Sequence, residues 1–264
     1  MDKDIFGKHR IDAVLTGMNF CTNRSAKNFI LKNEILVNGK KIISGKAMVD
    51  SSDEIKITGK TSEGKKIEST FRIEKDIYVV IDKPGGIVCS RASDSHKTVY
   101  EWLSEQDIPN LEETDIKRLH SVGRLDAKTT GLLILTSDGF FSNFVTNPES
   151  RIRKQYAVTL KEKANANLQK EYSDKAKEGI LLPAEKKFNE EKTSSALIEW
   201  MSENECAITV TEGKFHEVRR IFSALGNEVA ELRRISIGNF NIQRLQKSAE
   251  LISDTESFIQ KLLS

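Results

Sequence analysis

Ser121–Gly139 reads SVGRLDAKTTGLLILTSDG, a single carboxylate set ahead of an apolar run. Leu132-Leu133-Ile134-Leu135 is uninterrupted, with Gly131 before it and Ser137-Asp138-Gly139 after it. A run that apolar between such punctuation predicts a strand buried on both faces. Asp126 then stands at the edge of a core, with Arg124 two residues away and Thr129-Thr130-Gly131 as a turn behind it. An Asp so placed has three readings: a buried ion pair, a turn cap or a catalytic group. Turn chemistry is the ordinary one, so the choice rests on the rest of the chain.

The 264 residues, 38% of them hydrophobic, are enough for one large domain or for a large and a small one. No run approaches the roughly 18 apolar residues of a membrane span, and MDKDIFGKHR lacks the apolar core of a secretory signal. A soluble, cytoplasmic protein is expected. Cys21, Cys89 and Cys206 are far apart, and His9, His96, His120 and His216 are equally scattered. That excludes a disulfide framework and the usual zinc spacings, so no metal is predicted.

The net charge of +2 hides an uneven distribution. Residues 1–60 hold 11 Lys and Arg against 7 Asp and Glu, and residues 8–46 hold 8 against 2. An excess of that size in a short segment is an electrostatic footprint for phosphates, although a solvated basic face has the same composition. Ile11, Val14 and Leu15 follow helical spacing, and Gly17 ends the pattern. Thr22 or Asn23 caps a second predicted helix, with Ala26, Phe29 and Ile30 on one face and Arg24, Lys27 and Lys32 elsewhere. Ile35-Leu36-Val37 runs into Asn38-Gly39, the strongest short hairpin signal, and Lys40-Lys41-Ile42-Ile43 returns. These residues resemble an S4-type RNA-binding domain through Arg10-Ile11-Asp12, the basic helix after Asn23, and Val37-Asn38-Gly39. The resemblance covers residues 8–57 and implies contacts to structured RNA from Arg10, Arg24, Lys27, Lys32, Lys40 and Lys41. Residues 1–60 are therefore read as this domain. The polar, Gly-containing stretch 61–70 is read as a linker.

From residue 71 the pattern changes. Ile77–Ile81 is β-rich and is stopped by Asp82-Lys83-Pro84-Gly85-Gly86. A helix is predicted over His96–Ser104 and a short one over Phe140–Val145, followed by the basic patch Arg151-Ile152-Arg153-Lys154 and an alternating strand to Leu160. Residues 161–179 read as a solvated surface helix. Strands are predicted at Leu197–Trp200, Ala207–Val210 and Val229–Ile237, with a helix between the last two and a closing helix at Ser253–Leu263. In the helix after Phe215-His216-Glu217, Arg219 and Arg220 fall near the apolar stripe of Val218, Ile221, Phe222 and Leu225. Burying arginine without an anion is expensive, so one of them is expected to meet a carboxylate or a phosphate.

Taken together, residues 71–264 are identified as a member of the RsuA class of RNA pseudouridine synthases. The resemblance rests on Gly123-Arg124-Leu125-Asp126 with Thr130-Gly131-Leu132 and Asp138-Gly139, on Lys154-Gln155-Tyr156, and on Glu212–Phe222 with Leu232 and Ile237-Gly238. It implies an α+β fold: the S4-like module plus a catalytic domain on a mixed, mostly antiparallel β-sheet with flanking helices. It implies isomerisation of uridine to pseudouridine with no cofactor. Asp126 would be the catalytic carboxylate, acting on the sugar or the ring as nucleophile, or as base for a sugar proton. Tyr156 would stack on a flipped-out base, and Arg219 would keep Asp126 oriented and ionised. Arg124 and His216 are weaker candidates for the nucleotide or its backbone, and Ile237 for the floor under the uracil.

The pair of motifs Arg151–Tyr156 and Phe215-His216-Glu217 is similar to the enzyme acting on small-subunit (16S) rRNA, which makes that RNA or a small-subunit assembly intermediate the expected partner of a monomeric enzyme. Lys128 and Asp82 depart from the usual pattern, and residues 161–190 match no motif. The same class acting on 23S rRNA and a non-catalytic ribosome-assembly binder are the alternatives. A two-carboxylate glycosidase would need a second acid across the bond, and Asp138 fits turn chemistry better.

Overall fold

The structure, a computed structural model, describes residues 7–61, 63–185 and 189–264. The first six residues of the expected N-terminal domain, Ser62 of the expected linker and 186–188 of the motif-free segment lie outside the described residues. The chain divides into two compact units, one of Met1–Asp76 with Asp138–Phe141 and one of Ile77–Ser137 with Ser142–Ser264.

In the first unit, helices Ile11–Gly17 and Ala26–Lys32 precede a four-stranded antiparallel sheet. Ile11, Leu15, Phe29, Ile30, Ile35, Ile55 and Ile57 form its core, as their helical and alternating spacings require. Asn38 and Gly39 adopt φ of 49° and 77°, the paired left-handed geometry of a type I′ hairpin turn. The expected linker is corrected here. Lys66–Phe71 is a strand, paired antiparallel with Ile55–Lys60 from Ile55 opposite Phe71 to Lys60 opposite Lys66. An edge strand is held by backbone hydrogen bonds and needs little apolar content, so its polar composition concealed it.

The second unit is built on a nine-stranded sheet. Its main path runs Leu197–Trp200, Glu205–Val210, Lys154–Leu160, Val229–Ile237, Thr130–Thr136, Tyr78–Lys83, Ala249–Leu251. Every pairing on that path is antiparallel except the one between Val229–Ile237 and Thr130–Thr136, which is parallel. Gly131 through Thr136 are all buried, as the opening run predicts. Two apolar clusters contribute to the core. One gathers Val79, Ile81, Leu133 and Leu135 with the helix Val99–Ser104. The other gathers Val158, Leu160, Ile208 and Leu232 with Tyr172 and with the helix Glu217–Ala224.

Gly131 sits at φ 101°, opposite Arg234 across the parallel pair. A Cβ there would come 2.2 Å from the Arg234 carbonyl oxygen, so only glycine lets the two strands close. Arg233 then pairs bidentately with Asp82, at 2.9 and 2.6 Å. That pairing gives a structural use to the unusual aspartate before Lys83-Pro84.

Candidate active site

Asp126 is held by a loop whose backbone is tied down on both sides. Ahead of it, buried Leu125 donates its N–H to the thiol sulfur of Cys89, which is itself buried. Behind it, Thr129 N–H donates to the Asp126 carbonyl at 3.0 Å, and Gly86 N–H donates to the Ala127 carbonyl at 2.8 Å. The fully buried Lys83 closes the arrangement, its ammonium donating to the carbonyls of Pro84 at 3.0 Å and Thr129 at 2.9 Å. Burial lowers the Lys83 pKa, and the nearby charges of Cys89 and Asp126 oppose that shift.

This loop forms one wall of a cavity of about 130 Å³. Arg124, Asp126, Tyr156 and His216 all line it, so three separated segments bring four of the expected residues together. Tyr156 reaches the cavity because the strand Lys154–Leu160 alternates: Lys154, Tyr156, Val158 and Leu160 share a face. His216 reaches it from the turn before the helix Glu217–Ala224, in a left-handed conformation at φ 48° with its ring stacked on Phe215 at 3.7 Å. Its Nε2 lies 3.4 Å from Asp126 Oδ1.

Two expected residues are placed elsewhere. Arg219 does not line the cavity; its Nη1 donates to the Val229 carbonyl at 3.0 Å. The helix turns Val218, Ile221 and Phe222 to the core, and Arg219, one residue on from Val218, is carried about 100° round from it. Ile237 is fully buried, opposite Lys154 and Phe240 near the end of its strand, and Leu232 supplies the apolar contact from that strand. The buried arginine expected to meet an anion is Arg220, whose guanidinium bonds Glu191 at 3.1 Å and the Pro183 carbonyl at 2.8 Å.

Three buried charged residues that line the cavity were not among the expected site residues. Lys154, 6% exposed, has its pKa pushed down to about 8 by burial and by neighbouring Arg234. Glu217, also 6% exposed, is pushed up to about 6, chiefly by burial. Arg234 is 2% exposed, and its Nε donates to the Leu132 carbonyl at 2.7 Å. Arg234 Nη2 and Thr129 Oγ1 are buried polar atoms with no hydrogen-bond partner among the described residues. The available signal was period two: Lys154 alternates with Tyr156, and Arg234 with Leu232.

A carboxylate, an aromatic ring and buried cations lining one cavity make an arrangement for acting on a planar, hydrogen-bonding ring. The family model described as RNA pseudouridylate synthase matches residues 77–224, the stretch that carries Asp126, Tyr156 and His216. The chain belongs to the RNA pseudouridine synthase family and is an enzyme of that class. It is 34% identical over 254 residues to the ribosomal small subunit pseudouridine synthase A of Haemophilus influenzae, across 96% of this chain and 99% of that protein. The Vibrio cholerae protein of the same name is 35% identical, over 70% of this chain and 73% of that one. A solved pseudouridylate synthase shares the fold, with a TM-score of 0.62 and 32% identity over 96% of this chain and 99% of its own.

Proposed function

We propose that the enzyme converts a uridine of small-subunit rRNA to pseudouridine, with Asp126 as the group that acts on the nucleotide. The observation that carries this reading is the placement of Asp126 on the cavity wall with Tyr156, backed by relatives named for the small-subunit reaction. The reaction breaks the N1–C1′ bond, turns the uracil and rejoins it through C5, whose hydrogen is released as a proton. No redox partner enters that balance. A base inside a helix is out of reach, so the uridine is flipped into the cavity, and Tyr156 gives it a ring to stack on. Arg124, exposed at the mouth, meets the nucleotide or its backbone.

Arg234 Nη2 and Thr129 Oγ1 read as the groups that bond the polar edge of the base, since each is buried without a partner among the described residues. Lys83 and Arg234 add positive charge near the cavity. The first unit binds rRNA through Arg10, Arg24, Lys27, Lys32, Lys40 and Lys41. The test is release of tritium from 5-tritiated uridine in isolated small-subunit and large-subunit rRNA, with chemical mapping of the product. Modification at one small-subunit site is expected; release from large-subunit rRNA alone would overturn the substrate assignment.

A further inference from the structure

The segment that matches no motif places a second carboxylate behind His216. Glu185 Oε1 lies 3.0 Å from His216 Nδ1, while Nε2 of the same ring lies 3.4 Å from Asp126 Oδ1. The three groups form a line, carboxylate to imidazole to carboxylate, ending at the cavity. We infer that Glu185 and His216 are positioning residues for Asp126, with Glu185 fixing the imidazole ring and the ring fixing the carboxylate. The inference rests on the reading of Asp126 as the group that acts on the nucleotide.

Contacts of Arg220 and Phe215 hold the line in place. His216 adopts the left-handed region, where His is tolerated but uncommon, so its backbone is held by something else. That holder is Arg220, 3% exposed, whose Nη1 donates to the Phe215 carbonyl at 3.1 Å. The same guanidinium donates to the Pro183 carbonyl from Nε at 3.2 Å and from Nη2 at 2.8 Å, and pairs with Glu191. One buried arginine therefore ties the turn carrying His216 to the chain carrying Glu185, two residues past Pro183. The Phe215 ring, stacked on the imidazole, limits its rotation further.

The chemistry of the line follows from what each atom can do. An ionised carboxylate only accepts hydrogen bonds, whereas each imidazole nitrogen donates when it carries a proton. For the ring to hold both carboxylates, Nδ1–H donates to Glu185 and Nε2–H is directed at Asp126, since an unprotonated Nε2 would set a lone pair against the carboxylate. A catalytic carboxylate must be held within a fraction of an ångström of its reacting atom, and a misplacement of about 1 Å costs about a hundredfold in rate. Arg219, which the family pattern offers for this task, bonds the Val229 carbonyl instead.

The test is single-turnover tritium release from 5-tritiated uridine in small-subunit rRNA, with RNA affinity measured separately, for wild type, Glu185→Ala, His216→Asn, the double variant and Asp126→Asn. Asn accepts the left-handed backbone while lacking the second ring nitrogen. Each single variant is expected to lose roughly tenfold or more in rate with Kd unchanged, and the double variant to be no slower than His216→Asn alone. Nitrogen NMR of the four histidine rings supplies a readout that a merely structural role would not move. Protons on both Nδ1 and Nε2 of His216 are expected in wild type, with a shift of that ring's resonances in Glu185→Ala.

Wild-type rate in Glu185→Ala, rate losses that multiply in the double variant, or a loss confined to Kd would each overturn the inference. If Asp126→Asn is inactive in any of those cases, the catalytic reading of Asp126 stands. A fully active Asp126→Asn would bring down both.

Discussion

The Lys83 ammonium donates to the Thr129 carbonyl at 2.9 Å, tying the end of one central strand to the turn that follows Asp126. Replacing Lys83 with Met leaves that carbonyl and the Pro84 carbonyl without their donor in a buried place. Stability should fall by about 2 kcal/mol, the cost of unsatisfied buried acceptors. Pseudouridine formation should fall at least tenfold as the Asp126 loop loosens. Thermal unfolding and single-turnover rates check both, and a wild-type rate would show that the loop holds itself.

Glu217 gives stability a distinct pH dependence. Its folded-state pKa of about 6 lies above the ordinary value of 4.5, so the native state binds the proton more tightly. Stability is then favoured below about 4.5 and falls as pH rises to about 6. Glu217→Gln removes that loss, worth about 2 kcal/mol. The melting temperature of the variant relative to wild type should climb between pH 4.5 and 7 and then level off. Lys154, lowered to about 8 from 10.5, acts in a higher window: the unfolded chain holds the extra proton, so stability rises with pH from about 8 to 10.5. Lys154→Met should flatten that rise.

Arg234 should matter for the base more than for the fold. Arg234→Lys keeps a cation near the cavity but removes Nη2, the buried donor that has no partner among the described residues. A loss of about tenfold in kcat/KM for RNA is expected. An unchanged value would place the base edge elsewhere.

For the first unit, replacing Arg24, Lys27 and Lys32 together with Gln should weaken RNA binding and reduce the steepness of its salt dependence by roughly one per lost phosphate contact. The affinity of the variant between low and moderate salt measures this. An unchanged slope would mean that these side chains face solvent and not phosphate.

Much of this was legible in the sequence because apolar periodicity and turn chemistry are local. Leu132–Leu135 announced a strand buried on both faces, and Asn38-Gly39 announced its hairpin. Asp126 stood out once three separated motifs were read together. The inward-facing Lys83, Lys154 and Arg234 did not stand out, since a charge in a strand reads as solvated until its carbonyl partners and neighbouring strands are in place. The strand Lys66–Phe71 was hidden for the opposite reason: backbone pairing holds it and its side chains are polar. Arg219 and Ile237 were carried over from a motif, and neither lines the cavity: the helix carries Arg219 round from Val218, and Ile237 lies buried at the end of its strand. Glu185 had no local signal, because its meaning comes from His216, 31 residues on.

The catalytic role of Asp126 is tested by Asp126→Asn, an isosteric change that removes only the charge and basicity of the carboxylate. Single-turnover tritium release from small-subunit rRNA, run beside an RNA-binding measurement, separates chemistry from binding. Wild-type affinity is expected, with no detectable tritium release and no pseudouridine in the mapped product. Release at the wild-type rate would contradict that role.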